Sequence, residues 1–464
     1  MTATISGIND LRAAMSGSVL TPEDADYETA RIVWNAEIDR RPAVIAQCVS
    51  AADVAAAVRF ATAHDLEVAV RGGAHGIGGA AVVDDGIMID LRRLNEVTVD
   101  PDAQRAKVGG GALLGDLDAA AQAHGLAVPA GMVSHTGVGG LTLGGGMGWL
   151  TRMHGLSIDN VVSAEVVTAD GQIRRIDDVN EPDLFWAIRG GGGNFCVVTE
   201  FEFQLHPVGP LVQLGMVFWG VEQCGDVLRM AREVIASLPP ELNILIAGLN
   251  APPAPFVPVE HHFKPGIALM VVGLGDPAVH EEQVARITAA LPPLFEFLTP
   301  IPYTELQKLL DEDNRWGQYY YDKGTYLEEI TDAAIDVIVE HLPRKVAPGS
   351  VMLFYRLDGA YSKVADDATA FSGGRSPRYA MFMIAVCESL EQLAQERDWV
   401  RGFWTAVLPH GTSDVYVNTE IEDGGPGVVE AAYGGAKYAR LAALKQQYDP
   451  DNVFCRNVNI KPSS

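Results

Sequence analysis

Four glycine-rich stretches, RGGAHGIGG (71–79), GGGALLG (109–115), GVGGLTLGGGMG (137–148) and RGGGGNF (189–195), crowd the first part of a 464-residue chain. Glycine admits positive φ and leaves backbone N–H groups unobstructed, so this density points to main chain closing around an anionic ligand. A dinucleotide fold is the first reading, and the spacing rejects it. Gly137 and Gly139 are followed by Thr142, and Gly144 and Gly146 by Trp149, where G-x-G-x-x-G needs a third glycine; no G-x-x-x-x-G-K-[ST] occurs. Turn-making explains any one stretch but not all four.

Around these loops the hydrophobic pattern is mixed. Ser50 followed by Asp53 resembles a capping box, and Val54, Val58 and Ala61 recur at helical spacing behind it. Val68 and Val70, Ile87 and Ile89, and Val97 and Val99 alternate as strands, and Asp170-Gly171 between two alternating runs predicts a hairpin. Past Gly209 the glycine clusters stop. Pro-rich APPAPFVP (251–258) separates longer strand candidates, GIALMVVGL, SVMLFYRL and YAMFMIAV, and DAAIDVIVEHL (332–342) reads as a helix between them. The pattern predicts an α+β chain whose second part is an antiparallel sheet covered by helices on one side. It divides into residues 1–208, 209–413 and 414–464. In the last segment VYVN reads as a strand, ARLAALKQQY as a helix and the remainder as an irregular tail packing back on the first part.

Sixty acidic against 34 basic residues give a formal charge of −26, which argues against nucleic acid and anionic membranes as partners. The five cysteines are widely separated with no metal-ligand spacing, so no metal site is expected. With no basic-then-apolar start and no run of 18 apolar residues, the expectation is a cytoplasmic protein off the membrane. Oligomeric state is left open by the sequence.

His75 lies amid five glycines, and its segment, YETARIVWNAEIDRRPAVIAQCVSAADVAAAVRFATAHDLEVAVRGGAHGIGG, resembles the opening of berberine-bridge-enzyme-like flavoproteins of the vanillyl-alcohol-oxidase superfamily. GMVSHTGVGGLTLGGGMGWLTRMHGLSIDNVVSAEVVTADG, DLFWAIRGGGGNFCVVTEFEF, DDATAF and YARLAALKQQYDPDNVFCRNVNI extend the resemblance over nearly the whole chain. It implies a two-domain PCMH-type fold with a non-Rossmann FAD domain, a substrate domain (209–413) and a closing segment. It also implies an FAD-linked oxidase that passes hydride from an alcohol, sugar hydroxyl or amine to the flavin and electrons on to O2, giving H2O2. A dehydrogenase with another acceptor, or a biosynthetic enzyme of oxidative cyclisation or oxygenation, is the alternative.

The resemblance places FAD on residue after residue. His75 occupies the position of the histidine bonded covalently to the flavin, within Arg71, Gly72, Gly73, Ala74, Gly76 and Gly79; Ala74 stands where a third glycine is common. The second loop contributes Val133, Ser134, Thr136, Gly137, Gly140, Leu143, Gly144, Gly145, Gly148 and Trp149, with Val133 where doubly tethered relatives have cysteine. One bond is therefore expected, and the single tether favours a small or flat substrate. Asn194 and Val198 follow in the third stretch and Asn457 in the tail. Tyr438 and Tyr433 are the candidate bases, with Tyr319, Tyr320, Tyr321, Tyr355 and the pair His261-His262 in the substrate half. Arg152, Asp159 and Asn160 are expected to brace the second loop, and Trp34 and Trp186 to fill core.

Overall fold

The computed structural model describes residues 6–412, 414–419 and 426–463. A small sheet places Ser18–Leu20, Val44–Gln47, Ile87–Asp90 and Val68–Arg71 side by side, the last three strands parallel. The helix Ala51–Ala63 carries the chain from Val44–Gln47 to Val68–Arg71, the two parallel strands that flank Ile87–Asp90. Ser50 caps that helix by accepting the Asp53 N–H, as its sequence predicts. The reciprocal half of the capping box is not made. The Asp53 carboxylate instead accepts from the N–H groups of Ser16, Gly17 and Val49, tying the N-terminal segment to the helix.

A second, five-stranded antiparallel sheet runs in the order Val97–Asp100, Arg105–Gly109, Cys196–Gln204, Val161–Thr168 and Ile173–Asp177. The last two strands form the hairpin predicted at Asp170-Gly171, where Gly171 takes φ +72° and the Asp170 carboxylate accepts from Thr168 Oγ1 and Gln172 N–H. The helix Ala51–Ala63 lies between the two sheets: Val54, Ala57 and Val58 share one apolar core with Val44 and Ile87 on one side and Val167 and Val197 on the other. Small alanines on that helix let both sheets approach.

Residues 211–387 build a seven-stranded, wholly antiparallel sheet. Helices Cys224–Ala236, Asp332–His341 and Leu390–Val407 cover one face in a large apolar core. The other face meets the first half of the chain. Leu214, Leu245 and Met270 pack on Met132 and Trp149, while Phe382 and Leu357 pack on Met147 and Tyr416. Polar links reinforce this seam. Arg375 grips Asp159 with two bonds of 2.7 and 2.8 Å, and Arg152 bonds Asp358 at 2.6 Å. Arg152 and Asp159 thus brace the second loop against the sheet, and Asn160 bonds back to the His154 and Leu156 carbonyls.

VYVN is not a strand; Val417 and Asn418 lie in a turn. Side-chain bonds hold the segment in place of a ladder, since Asn418 donates to the Leu141 carbonyl and Tyr416 accepts the Gly146 N–H. The following helices, Pro426–Tyr433 and Gly435–Tyr448, return to the first half, where Leu441, Leu444 and Ile460 share a core with Val198 and Phe201.

The tail is fastened by a fully buried ion pair. Lys445 Nζ bonds Asp449 at 2.6 Å and the carbonyls of Asn194 and Phe454 at 2.6 and 3.0 Å, while Asp449 accepts the N–H groups of Val453 and Phe454. Burial holds the ammonium below the usual lysine range and the carboxylate partly offsets this. Asp449→Ala, which strands that ammonium, is expected to cost about 3–5 kcal/mol in denaturant unfolding. Asp183→Ala, which breaks the exposed pair with Arg440, should cost less than about 1 kcal/mol.

Candidate cofactor and active site

The strand Val68–Arg71 ends at the first glycine loop, and the second loop, entering the short helix Val138–Leu143, lies directly against it. A Cβ on Gly73 would sit 2.2 Å from the Gly137 nitrogen, and one on Gly137 would sit 2.3 Å from the Gly73 nitrogen. Main chain touches main chain here, which only glycine allows. Beside this contact runs a cavity of about 960 Å³, bounded at its far end by the C-terminal tail.

Gly72, Gly73, Ala74, His75 and Gly76 line that cavity, with Thr136, Gly137, Gly140 and Leu143 from the second loop. Asn194 and Val198 come from the third stretch, and Asn457 and Tyr433 from the closing segment. Ala74 adopts φ +54°, the left-handed conformation that explains why glycine suits this position. Asn194 is spent on the tail: its amide donates to the Gly191 and Val458 carbonyls and accepts the Ile460 N–H.

Other expected residues lie off the cavity wall, among them Val133. Arg71 is buried beneath the loop, on a second hollow of about 450 Å³. Ser134 gives both its N–H and its hydroxyl to Asp311. Gly79 faces Ile38, Gly144 faces Asn418, Gly145 faces Phe371 and Gly148 faces the Ala130 carbonyl, so these glycines hold loop shape. Trp149 is buried in the seam between the halves. Tyr438 packs on the core of the first half, and Tyr433 donates its hydroxyl to the Gly190 carbonyl, with burial pushing its phenol up. Neither tyrosine offers a free base to the cavity.

Residues that sequence reasoning passed over complete the site. Trp34, expected as core, is buried but stacks on His75 with ring centres 4.3 Å apart, and Tyr320 stacks behind it at 3.6 Å. His135, in the quoted GMVSHTG run, bonds His75. Tyr416 and Asn418 line the cavity from the turn read as a strand. The Tyr416 oxygen accepts from the Gly146 N–H at 3.2 Å and the Asn418 amide at 3.1 Å. By contrast His261 and His262 sit in and just after a short turn of helix, away from the cavity. The alternation of Y-x-N and its place just after residues 209–413 was the available signal for Tyr416.

The wall suits an elongated anion with an aromatic end. Its charged members among the described residues are Arg401, Arg456 and Lys461, with no carboxylate, although the chain carries −26 overall. A Cβ added at Gly76, Gly78 or Gly140 would meet no protein atom within 4 Å. The N–H groups of Gly139 and Gly140, in the first helical turn, have no intrahelical acceptor. Asn459 also lines the cavity and leaves its side-chain oxygen without a partner. Burial, and then the neighbouring His135, lower His75 to about 3, so its imidazole is neutral.

Residues 42–177 match the family described as FAD binding domain, and residues 415–461 the family described as berberine and berberine like. The chain is 32% identical over 467 residues to (R)-6-hydroxynicotine oxidase of Paenarthrobacter nicotinovorans, covering 97% of each. It is 30% identical over 460 residues to an FAD-linked oxidoreductase of Dictyostelium discoideum, covering 98% of this chain and 97% of that one. The crystal structure of 6-hydroxy-D-nicotine oxidase from Arthrobacter nicotinovorans superposes with a TM-score of 0.84 at 28% identity, covering 97% of this chain and 98% of the other.

The glycines separate fold from ligand. Gly140→Leu is expected to fold with equal or slightly greater stability, by about 0.5–1 kcal/mol from helix propensity, yet to purify with at least about tenfold less flavin because its side chain enters the cavity. Gly73→Ala, which strikes backbone, should instead lose folded protein; equal flavin content in Gly140→Leu and wild type would refute the placement.

Proposed function

The chain belongs to the berberine-bridge-enzyme-like family of FAD-linked oxidoreductases, and from that premise we propose an oxidase that takes hydride from an alcohol, sugar hydroxyl or amine. Its fold is the PCMH type, with helices and antiparallel sheets in an α+β arrangement. The observation that carries the reading is the cavity itself: a neutral histidine, open glycines and an all-cationic set of charges lie on one wall system. FAD bound there and attached through His75 would supply the two-electron acceptor and a route for those electrons to dioxygen, giving hydrogen peroxide.

The residues divide the remaining work. Lys461 and the Gly139 and Gly140 N–H groups would hold phosphate oxygens by charge-assisted or backbone hydrogen bonds, beside Arg456, whose guanidinium already pairs with Glu67 and the Val82 carbonyl. Gly72, Gly73 and Thr136 shape the adjoining wall, and Asn457 and Asn459 close it from the tail. The face of the seven-stranded sheet that meets the first half carries Tyr355, Phe382 and Ile384 in one cluster with Tyr416, aromatic surroundings that favour a flat, weakly polar substrate. Tyr416 replaces Tyr433 and Tyr438 as the proton acceptor. To act as base Tyr416 would first give its own proton to solvent, and the two donors at its oxygen, the Gly146 N–H and the Asn418 amide, would stabilise the phenolate that then accepts the substrate's proton. Burial opposes that phenolate by pushing the phenol up, and the hydrogen bonds from Asn418 and Gly146 offset this in part.

Acid-precipitated wild type should carry its flavin into the pellet, and His75→Ala should leave it in the supernatant. Tyr416→Phe should keep its flavin but lose about 10²–10⁴-fold in the rate of reduction by substrate. Peroxide release under air, screened over amines, alcohols and sugars, tests the acceptor; flavin reduction without peroxide would overturn the oxidase reading.

A further inference from the structure

The contact between the two glycine loops brings two histidines together. His75 Nε2 and His135 Nδ1 lie 2.7 Å apart, with ring centres 4.7 Å apart and planes tilted by 43°. That distance is a full hydrogen bond between two ring nitrogens, which requires a proton on one and a lone pair on the other. His75 Nδ1 has no partner among the described residues, and the residue lines the large cavity.

Both rings are held. Trp34 stacks on His75 from one side. His135 sits in a segment pinned at each neighbour: Ser134 gives its N–H and hydroxyl to Asp311 at 2.8 and 2.5 Å, and the Ser134 and Thr136 carbonyls accept the N–H groups of Gly115 and Leu114 at 2.7 and 2.9 Å. A neutral imidazole has one N–H. If the shared proton belongs to His75 Nε2, its Nδ1 carries a lone pair toward the cavity, the state a nucleophile needs.

Resting on the reading that His75 is the flavin's attachment point, we propose that His135 is a positioning residue for that attachment. It accepts the Nε2 proton, which fixes the tautomer, and takes that proton as the new bond forms. The bond joins His75 Nδ1 to the flavin 8-methyl carbon, and one methyl C–H bond breaks. The two electrons released reach dioxygen, which takes up the methyl proton and the one relayed by His135 and leaves as hydrogen peroxide. The imidazole ends neutral and alkylated at Nδ1.

The test compares wild type, His135→Ala, His135→Asn and His75→Ala. Total bound FAD is measured by absorbance, and the attached fraction by intact mass after denaturation, followed over time with added FAD. His135→Ala is expected to bind FAD yet attach it on the order of a hundredfold more slowly. His135→Asn, whose side-chain oxygen accepts the hydrogen bond from Nε2 but cannot take its proton, should recover the part of that rate owed to the fixed tautomer and remain below wild type, while a packing role would not be restored by it. Attachment by His135→Ala at the wild-type rate, or no gain from asparagine over alanine, would overturn the proposal and leave His75 as the tether. Absence of the adduct in wild type would overturn the tether itself, and the role of His135 with it.

Discussion

Everything at the site depends on one backbone contact, Gly73 against Gly137. Neither position has room for a single carbon, and the close approach is what sets His75, two residues beyond Gly73, beside His135, two residues before Gly137. The fold spends its two sheets on presenting these loops. The strand that delivers Gly72 follows a helix, Ala51–Ala63, that is clasped from behind by the second sheet, so the loop has little freedom to retreat.

The second constraint is closure. The cavity has walls from several separate stretches of chain, and three of them are tied by groups that would be costly to leave unpaired. Arg375 and Arg152 anchor the glycine loop to the large sheet, while Lys445 and Asp449 draw the tail over the far end. Asn194 belongs to this scheme. Its amide is saturated by the tail and by its own loop, so its effect on a ligand passes through the position of Asn457 and its neighbours.

Much of this was legible in the sequence, and the rest fails for definable reasons. Alternation and capping gave the strands at 68–71, 87–90 and 97–100 and the helix Ala51–Ala63, because those signals are local. The glycine stretches located the cavity, since glycine is selected by close approach whatever the fold. VYVN misled because period-two aromatics also arise where two side chains reach the same neighbouring loop, as Tyr416 and Asn418 do. Trp34 looked like core because it is buried; that its buried face meets a histidine 41 residues away is a tertiary fact. Tyr438 packs on the core, and Tyr433, though it lines the cavity, spends its hydroxyl on the Gly190 carbonyl; no periodicity tells the core side of a closing helix from the ligand side.

The cationic lining inside an acidic shell has a kinetic meaning. A molecule of formal charge −26 repels an anion at long range, while the charged residues on the cavity wall, among those described, are Arg401, Lys461 and the Glu67-paired Arg456. Salt screens the first effect over a Debye length of about 8–10 Å and leaves the close contacts largely untouched. Cofactor capture by the folded apoprotein is thus an ionic-strength problem at the entrance and a geometric one inside, and the two can be tuned separately by surface charge and by the loops.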